Sequence, residues 1–141
     1  MKSKLWRLFP LMLIALVGVL VWHNQTQQSQ GVLRTLACPD LHKGCRIDLD
    51  GKAVAVSVGG ELKPLQAFQV RVDAPKATKV EARFTMEGMD MGFNLYTLRA
   101  DKEGMFQANI TLPVCVTGRR DWVMHLSVDG AQLAVPFVTD L

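Results

Sequence analysis

The chain has 141 residues, a formal net charge of +3 and 49% hydrophobic side chains, which is enough for one domain with a buried core. Three of its 16 Lys and Arg residues, Lys2, Lys4 and Arg7, stand within the first seven positions, and no acidic residue occurs before Asp40. The rest of the chain is formally neutral, with as many basic as acidic side chains. It therefore lacks the basic footprint that a nucleic-acid-binding domain requires, and we expect no nucleic-acid partner.

An uncharged apolar run from Leu8 to Trp22 follows these three cations. Positive residues before an apolar run favour a cytoplasmic N-terminus, and tryptophan is frequent at membrane interfaces. We therefore predict that residues 1–23 are a single-pass anchor in a bacterial inner membrane, with the C-terminal domain in the periplasm. The alternative is a cleaved signal peptide, although no small-x-small cleavage site follows the run. Residues 24–37 are predicted to be a polar linker.

Residues 38–141 are predicted to form one periplasmic domain of β-strands, because polarity alternates along them and no helical period is present. The strongest turn signals are Asp50-Gly51 and Asp129-Gly130, both typical of type I′ hairpins. Short strands with frequent turns predict an all-β fold, an antiparallel immunoglobulin-like β-sandwich. The eight predicted strands are 46–49, 53–58, 66–72, 80–86, 92–99, 105–112, 122–128 and 131–138.

If successive strands alternate in direction, every second strand ends on the same rim of the sandwich. That rim would collect the loops Met86–Met91 and Pro113–Arg120, together with the segment Cys38–Cys45 and His42. His125 alternates with residues of the core face, so it is predicted to face outward and to lie away from this rim.

Three methionines, Met86, Met89 and Met91, stand within six residues. The intervening acidic residues and glycine favour a turn, and thioether sulfur is a soft donor of the kind that selects Cu(I). The spacing therefore predicts a Cu(I) site, with Cys115 as a candidate fourth ligand. The alternative is that Met86 ends a buried strand while Met89 and Met91 cap the core. The pattern leaves both interpretations open.

Three cysteines in an oxidising compartment predict one disulfide and one spare thiol. Cys38–Cys45 and Cys45–Cys115 are both compatible with the predicted rim, and the sequence does not choose between them. The sequence contains no recognisable Ser/His/Asp arrangement, phosphate-cradling glycine loop or pair of catalytic acids, so we expect no enzymatic activity.

Between Val80 and Val128 the chain contains the segment VEARFTMEGMDMGFNLYTL, the alternating Phe106, Ala108, Ile110 and Leu112 before Pro113, and Gly118 and Trp122. With these residues the stretch resembles the YtkA-like/FixH-like group of periplasmic immunoglobulin-like domains. The resemblance implies a role in copper handling or in the assembly of membrane copper oxidases, with the methionine turn at Met86, Met89 and Met91. Many members carry a histidine in or beside this turn, where the present chain has Gly92 and Phe93, which favours Cu(I) over Cu(II).

The favoured hypothesis is a membrane-anchored periplasmic accessory protein that binds Cu(I) through Met86, Met89, Met91 and Cys115. It would assist copper delivery to, or assembly of, a respiratory copper oxidase, with an oxidase subunit or another copper carrier as its partner. The alternative is a metal-free β-sandwich interaction domain that docks on a membrane complex.

Overall fold

The structure, a computed structural model, describes residues 12–20, 33–89, 92 and 94–140. The chain divides into two compact units, Met1–Gly31 and Val32–Leu141. In the first unit, residues 12–20 are helical and exposed. The rest of the predicted anchor and the linker up to residue 32 lie outside the described residues. Among the residues that are described, no helix is both long enough and apolar enough to cross a membrane.

The second unit consists of β-strands, and all eight predicted strands are present. A ninth strand of two residues precedes them, within the predicted linker, and the strand predicted from residue 92 begins at Leu95 instead. The strands of the described chain are β1 Arg34–Thr35, β2 Cys45–Leu49, β3 Lys52–Gly59, β4 Ala67–Asp73, β5 Val80–Met86, β6 Leu95–Ala100, β7 Met105–Thr111, β8 Asp121–Val128 and β9 Ala131–Val138.

These strands form one mixed sheet in the order β1-β9-β8-β5-β6-β7-β4-β3-β2. The short β1 pairs with β9 in parallel, and the other neighbours pair antiparallel. Each antiparallel neighbour pair joins an even-numbered strand to an odd-numbered one. The strands β2 to β9 therefore alternate in direction along the chain, as predicted.

Strand β6 changes its partner halfway along its length. Its first part, Leu95 to Leu98, pairs with β5, whereas Arg99 and Ala100 pair with β7. This single strand therefore links the half of the sheet that contains β5, β8 and β9 to the half that contains β7, β4 and β3.

The core lies on one face of each half of the sheet. Along β5 and β8, buried residues alternate with half-buried or exposed ones, as expected for strands with one face in the core. The ring of Phe84 on β5 packs edge-on against Phe68 on β4, with 6.2 Å between centroids. The strands β6 and β7 separate β4 from β5 in the sheet order, so this contact joins two strands that are not neighbours in the sheet.

Two predicted hairpin turns have the backbone conformation that their sequences favour. Asp50 and Gly51 have φ values of 54° and 78°, and Asp129 and Gly130 have values of 49° and 93°. Type I′ turns need positive φ at both central residues, which Asp and Gly tolerate better than other residues. The prediction of hairpins at these two positions is confirmed.

The disulfide joins Cys38 to Cys45, with 5.8 Å between the Cα atoms, and Cys115 is free. The first of the two predicted pairings is therefore the one present. Between the two bridged cysteines, Leu41 is buried in the core, and its carbonyl accepts a 3.0 Å hydrogen bond from the amide of Val58. The disulfide loop thus closes the end of the core beside β3.

Candidate metal-binding and docking rim

Hydrogen bonds tie together the loops at the end of the sheet where β3, β5, β7 and β9 finish. The amide of Leu65 donates to the carbonyl of Leu112 at 2.9 Å, and the amide of Asp140 donates to the carbonyl of Leu62 at 2.8 Å. The Arg119 guanidinium donates to the Glu87 carbonyl at 2.9 Å. We refer to residues 60–66, 86–89, 112–120 and 138–140 together as the rim. The predicted gathering of the methionine and Cys115 loops at one end of the fold is confirmed by these contacts.

The first two methionines of the motif lie opposite each other across a tight turn. The amide of Met89 donates to the carbonyl of Met86 at 2.9 Å, and the reciprocal bond measures 3.2 Å. Gly88, with φ of 74°, provides the left-handed residue of the turn. Met86 is only 1% exposed, whereas Met89 is 46% exposed. Met91 lies outside the described residues.

The burial of Met86 matches the alternative interpretation of the motif, in which this residue ends a buried strand. Its side chain lies in the core, and with those of Trp122 and Phe84 it is one of the largest fully buried side chains. A sulfur atom in that position contributes to packing. Within the described part of the motif, it is Met89 that is exposed at the surface.

Cys115, the candidate fourth ligand, is half-buried in the loop after β7. Its Sγ lies 3.0 Å from the Thr117 hydroxyl. Hydrogen bonds from Thr117, with a smaller contribution from Arg119, hold the pKa of the Cys115 thiol below its usual value. A lower pKa increases the thiolate fraction, and the thiolate is the form that binds metals.

Arg119 connects the Cys115 loop to the methionine turn. Its guanidinium forms an ion pair with Asp121 and also donates to the Glu87 carbonyl. The ion pair lowers the pKa of the Asp121 carboxyl and raises that of Arg119. One arginine therefore holds the segment with Cys115 beside the segment with Met89.

A cavity of about 500 Å³ adjoins the methionine turn and is lined by Met89, Leu95, Thr85 and His125, among others. His125 and Thr85 alternate with core residues of their strands, so they lie on the sheet face opposite the core. The prediction that His125 faces outward is confirmed. The prediction that His125 lies away from the rim is not confirmed. The pairing of β5 with β8 places His125 at the same cavity as Met89, which belongs to the rim.

His42 contributes to the disulfide loop rather than to this cavity. Its amide donates to the Asp40 carboxylate at 3.0 Å, and that of Lys43 donates to the same oxygen at 3.3 Å. The Lys43 ammonium, which forms an ion pair with Asp40, and these two backbone hydrogen bonds lower the pKa of the Asp40 carboxyl. Within the described residues, His, Cys, Asp and Glu side chains do not form any group of three that could hold a metal ion.

Within the described residues of the second unit, most of the exposed large apolar side chains lie at the rim. Val116 is completely exposed. Leu65 is also exposed, and its backbone is left-handed, with φ of 61°. That conformation is uncommon for leucine, and here the hydrogen bond to Leu112 holds it. The exposed large apolar residues of the rim are Leu65, Met89, Val114, Val116 and Val138.

Comparison of the chain with protein-family models, with curated proteins and with solved structures found no match.

Proposed function

We propose that the second unit is an immunoglobulin-like β-sandwich whose two layers are the two halves of the sheet. The contact between Phe68 and Phe84 supports this arrangement, because strands distant in the sheet order can touch only if the sheet folds over its own core. The change of partner along β6 provides the corner between the layers. We propose in addition that residues 1–23 anchor this domain to the periplasmic face of a bacterial inner membrane.

For this domain we propose a role as a Cu(I)-binding accessory protein that assists delivery of copper to, or assembly of, a respiratory copper oxidase. The observation that carries this proposal is the exposed Met89, fixed in a tight turn that Arg119 ties to the Cys115 loop. Thioether and thiolate are soft ligands and suit Cu(I). Met89, Met91 and Cys115 would bind the ion, while the buried Met86 would hold the turn on the end of β5.

Such a ligand set suits transfer of copper better than storage. Met89 lies at the surface, so a sulfur ligand of a partner could approach an ion bound there and replace one protein ligand at a time. The Arg119 contact would keep the two ligand-bearing loops together throughout the exchange. The copper ion is the cargo in this proposal, and no catalytic step is needed.

The test is a Cu(I) titration of the full-length chain under anaerobic conditions against a competing chromophoric chelator. We expect the wild type to bind copper and the double variant Met89→Leu/Met91→Leu to lose at least tenfold in affinity. Met86→Leu is the matched control, because it removes a sulfur from the core while nearly preserving volume, a change that costs less than about 1.5 kcal/mol in stability. Unchanged affinity in the double variant would contradict the proposal.

A second candidate function is docking on a membrane complex without metal, and the exposed apolar rim favours it. Completely exposed valine and a strained, exposed leucine are more typical of a contact surface than of a solvated loop. Under this alternative, Val116→Ser would lower copper-oxidase activity in membranes of cells that carry only the variant, with Cu(I) affinity unchanged. Leu33→Ser is the matched control, because Leu33 is exposed next to β1, outside the rim. Wild-type oxidase activity in the Val116 variant would exclude the docking function.

A further inference from the structure

The sheet of the second unit has one protected end and one open end. At the first end, β1 pairs with Leu133 and Ala134 of β9, and Pro136, two positions further along β9, has no amide to offer another strand. At the other end lies β2, which contains no proline and is not covered by any described strand. Natural proteins usually protect such edges, because an open edge strand pairs readily with another chain. The open edge of β2 is therefore a candidate interaction surface.

The backbone groups of Arg46 and Asp48 face this open edge. Leu49 lies opposite Lys52 across a two-residue turn, and residues in these positions of a hairpin bond to each other. The bonds to β3 therefore come from Leu49 and every second residue before it, so the amides and carbonyls of Arg46 and Asp48 point away from β3. The Asp48 carbonyl agrees with this direction, since it accepts a 3.1 Å hydrogen bond from the Arg34 guanidinium. Of these four backbone groups, it alone is bonded within the described residues.

The side chains of the same two residues carry opposite charges on the outer face of the sheet. Arg46 and Asp48 are exposed, whereas the residues on either side of each are half-buried or buried. The Arg46 guanidinium has no hydrogen bond or ion pair with any described residue. One oxygen of the Asp48 carboxylate accepts a 2.8 Å hydrogen bond from the Gly51 amide. A strand that pairs with this edge would thus meet a cation and an anion two positions apart.

This edge is complementary to itself in one antiparallel register. When two copies of β2 pair about a two-fold axis at Ile47, Arg46 of each copy lies opposite Asp48 of the other, and the open backbone groups of these residues bond to each other. Opposite charges in such cross-strand pairs stabilise a sheet, and like charges destabilise it. The registers centred one residue to either side place Arg46 opposite Arg46 or Asp48 opposite Asp48. Charge therefore selects the register at Ile47, whose half-buried side chain packs against the core.

We propose that the open edge of β2 is a self-association surface, and that its occupant is a second copy of this chain, paired β2 to β2 in the antiparallel register centred on Ile47. In this dimer the Asp48 carbonyl exchanges the exposed Arg34 guanidinium for the Arg46 amide of the second copy, while Arg34 keeps its 3.1 Å ion pair with Asp50. The contact is only five residues long on each side, so the dimer dissociates on dilution. The inference does not rest on the proposed copper function.

Size-exclusion chromatography with multi-angle light scattering, applied to the full-length chain in detergent solution over a range of protein concentrations, measures the dissociation constant of the dimer. We expect Arg46→Glu and Asp48→Lys each to raise this constant at least tenfold, because each reversal places like charges opposite each other twice. An equimolar mixture of the two variants should return to within threefold of the wild type, since every cross-strand pair of the mixed dimer joins a cation to an anion. Arg71→Glu and Asp73→Lys are the matched controls and should leave the constant unchanged. They reverse the same charges at the same spacing on β4, which is paired on both sides.

A wild type that stays monomeric, or reversals on β2 that change the dissociation constant no more than those on β4, would overturn the proposal. A mixture of Arg46→Glu and Asp48→Lys that stays monomeric would overturn it as well, provided that thermal unfolding shows both variants to be folded. Because Asp48→Lys also removes the bond to the Gly51 amide, Arg46→Pro is a second test. It removes an amide that faces the open edge and keeps the bonds between β2 and β3, and a dimer of wild-type strength in this variant would contradict the pairing.

Discussion

At the scale of single residues, Asp129 makes more polar contacts than its place in an exposed hairpin turn would suggest. Its carboxylate accepts hydrogen bonds from the amides of Thr78 and Lys79, both at 2.9 Å, and from the Thr78 hydroxyl at 2.8 Å. It also forms a 3.1 Å ion pair with Lys52. One side chain therefore joins the β8–β9 turn to the start of β5 and to β3.

We expect Asp129→Ala to lower the free energy of unfolding by about 2 kcal/mol, because two amides lose their acceptor. Asp50→Ala is the matched control. Asp50 occupies the same position in the other Asp-Gly hairpin, but its carboxylate bonds to the Arg34 guanidinium alone among the described residues. Urea unfolding of both variants at pH 7 is the measurement, and equal losses would show that the turn conformation, rather than the hydrogen bonds, explains the effect.

The contribution of Asp129 to the free energy of unfolding should also depend on pH. Hydrogen bonds from Thr78 and Lys79, with the Lys52 ion pair, hold the pKa of Asp129 far below its usual value. Since the folded-state pKa is depressed, the stabilisation is fully present above the unfolded pKa of about 3.9 and is lost as the pH falls towards the folded value. The difference between wild type and Asp129→Ala should be constant from pH 7 to 5 and should decrease below pH 4.

Thr139 offers a substitution that should stabilise the protein. The residue is buried, and its hydroxyl has no hydrogen-bond partner among the described residues. Because a buried hydroxyl without a partner is unfavourable, Thr139→Val should raise the free energy of unfolding by about 1 kcal/mol. Thr78→Val, which removes a bonded hydroxyl, should act in the opposite direction, and a loss of stability in Thr139→Val would contradict the expectation.

At the scale of elements, alternation of polar and apolar residues was sufficient to place the strands, because each has one face in the core. The prediction ended β5 and β9 at Met86 and Val138, as observed. The two-residue β1 was missed, since a pairing this short leaves no alternation to detect. The start of β6 was placed three residues too early, and its change of partner depends on contacts with distant strands that local sequence does not record.

The disulfide loop between Cys38 and Cys45 is an element whose contribution can be measured. In the chain-entropy description, a disulfide that closes a loop of this length raises the free energy of the unfolded chain by about 2 kcal/mol, because it restricts the conformations of that chain. The buried Leu41 within the loop adds apolar contacts to the core. The double variant Cys38→Ser/Cys45→Ser should therefore unfold at lower urea concentration. Cys115→Ser is the control, because that thiol is free, and an equal loss in the control would refute the assignment.

At the scale of the whole molecule, the sequence predicted which loops meet at the rim but not which of their side chains reach the surface. Strand direction follows from counting, and the count was correct for β2 to β9. The burial of Met86 and the convergence of His125 with Met89 depend on register between strands distant in sequence. Residue types alone therefore predicted copper, whereas the pairing of β5 with β8 was needed to place His125 at the cavity that Met89 lines.

The two halves of the sheet should unfold together, because β6 pairs with both of them and the ring of Phe84 adds only part of the contact between them. Its ring lies 6.2 Å from that of Phe68 on β4, and 6.0 and 6.3 Å from those of Tyr96 and Phe137. Phe84→Ala should cost about 3–5 kcal/mol, as expected for an aromatic residue removed from a packed core, and it should leave a single transition.

Urea unfolding, followed by far-ultraviolet circular dichroism and by tryptophan fluorescence, checks this expectation. Trp6 and Trp22 are changed to Phe in all variants, so that the fluorescence comes from Trp122 alone. Val116→Ala is the control, since a fully exposed side chain should change stability by less than about 0.5 kcal/mol. Coincident transitions by the two probes in Phe84→Ala would show that contacts around β6 and along the rest of the core keep the halves coupled. Separate transitions would show that Phe84 alone makes the sheet one cooperative unit, and the prediction would then be wrong.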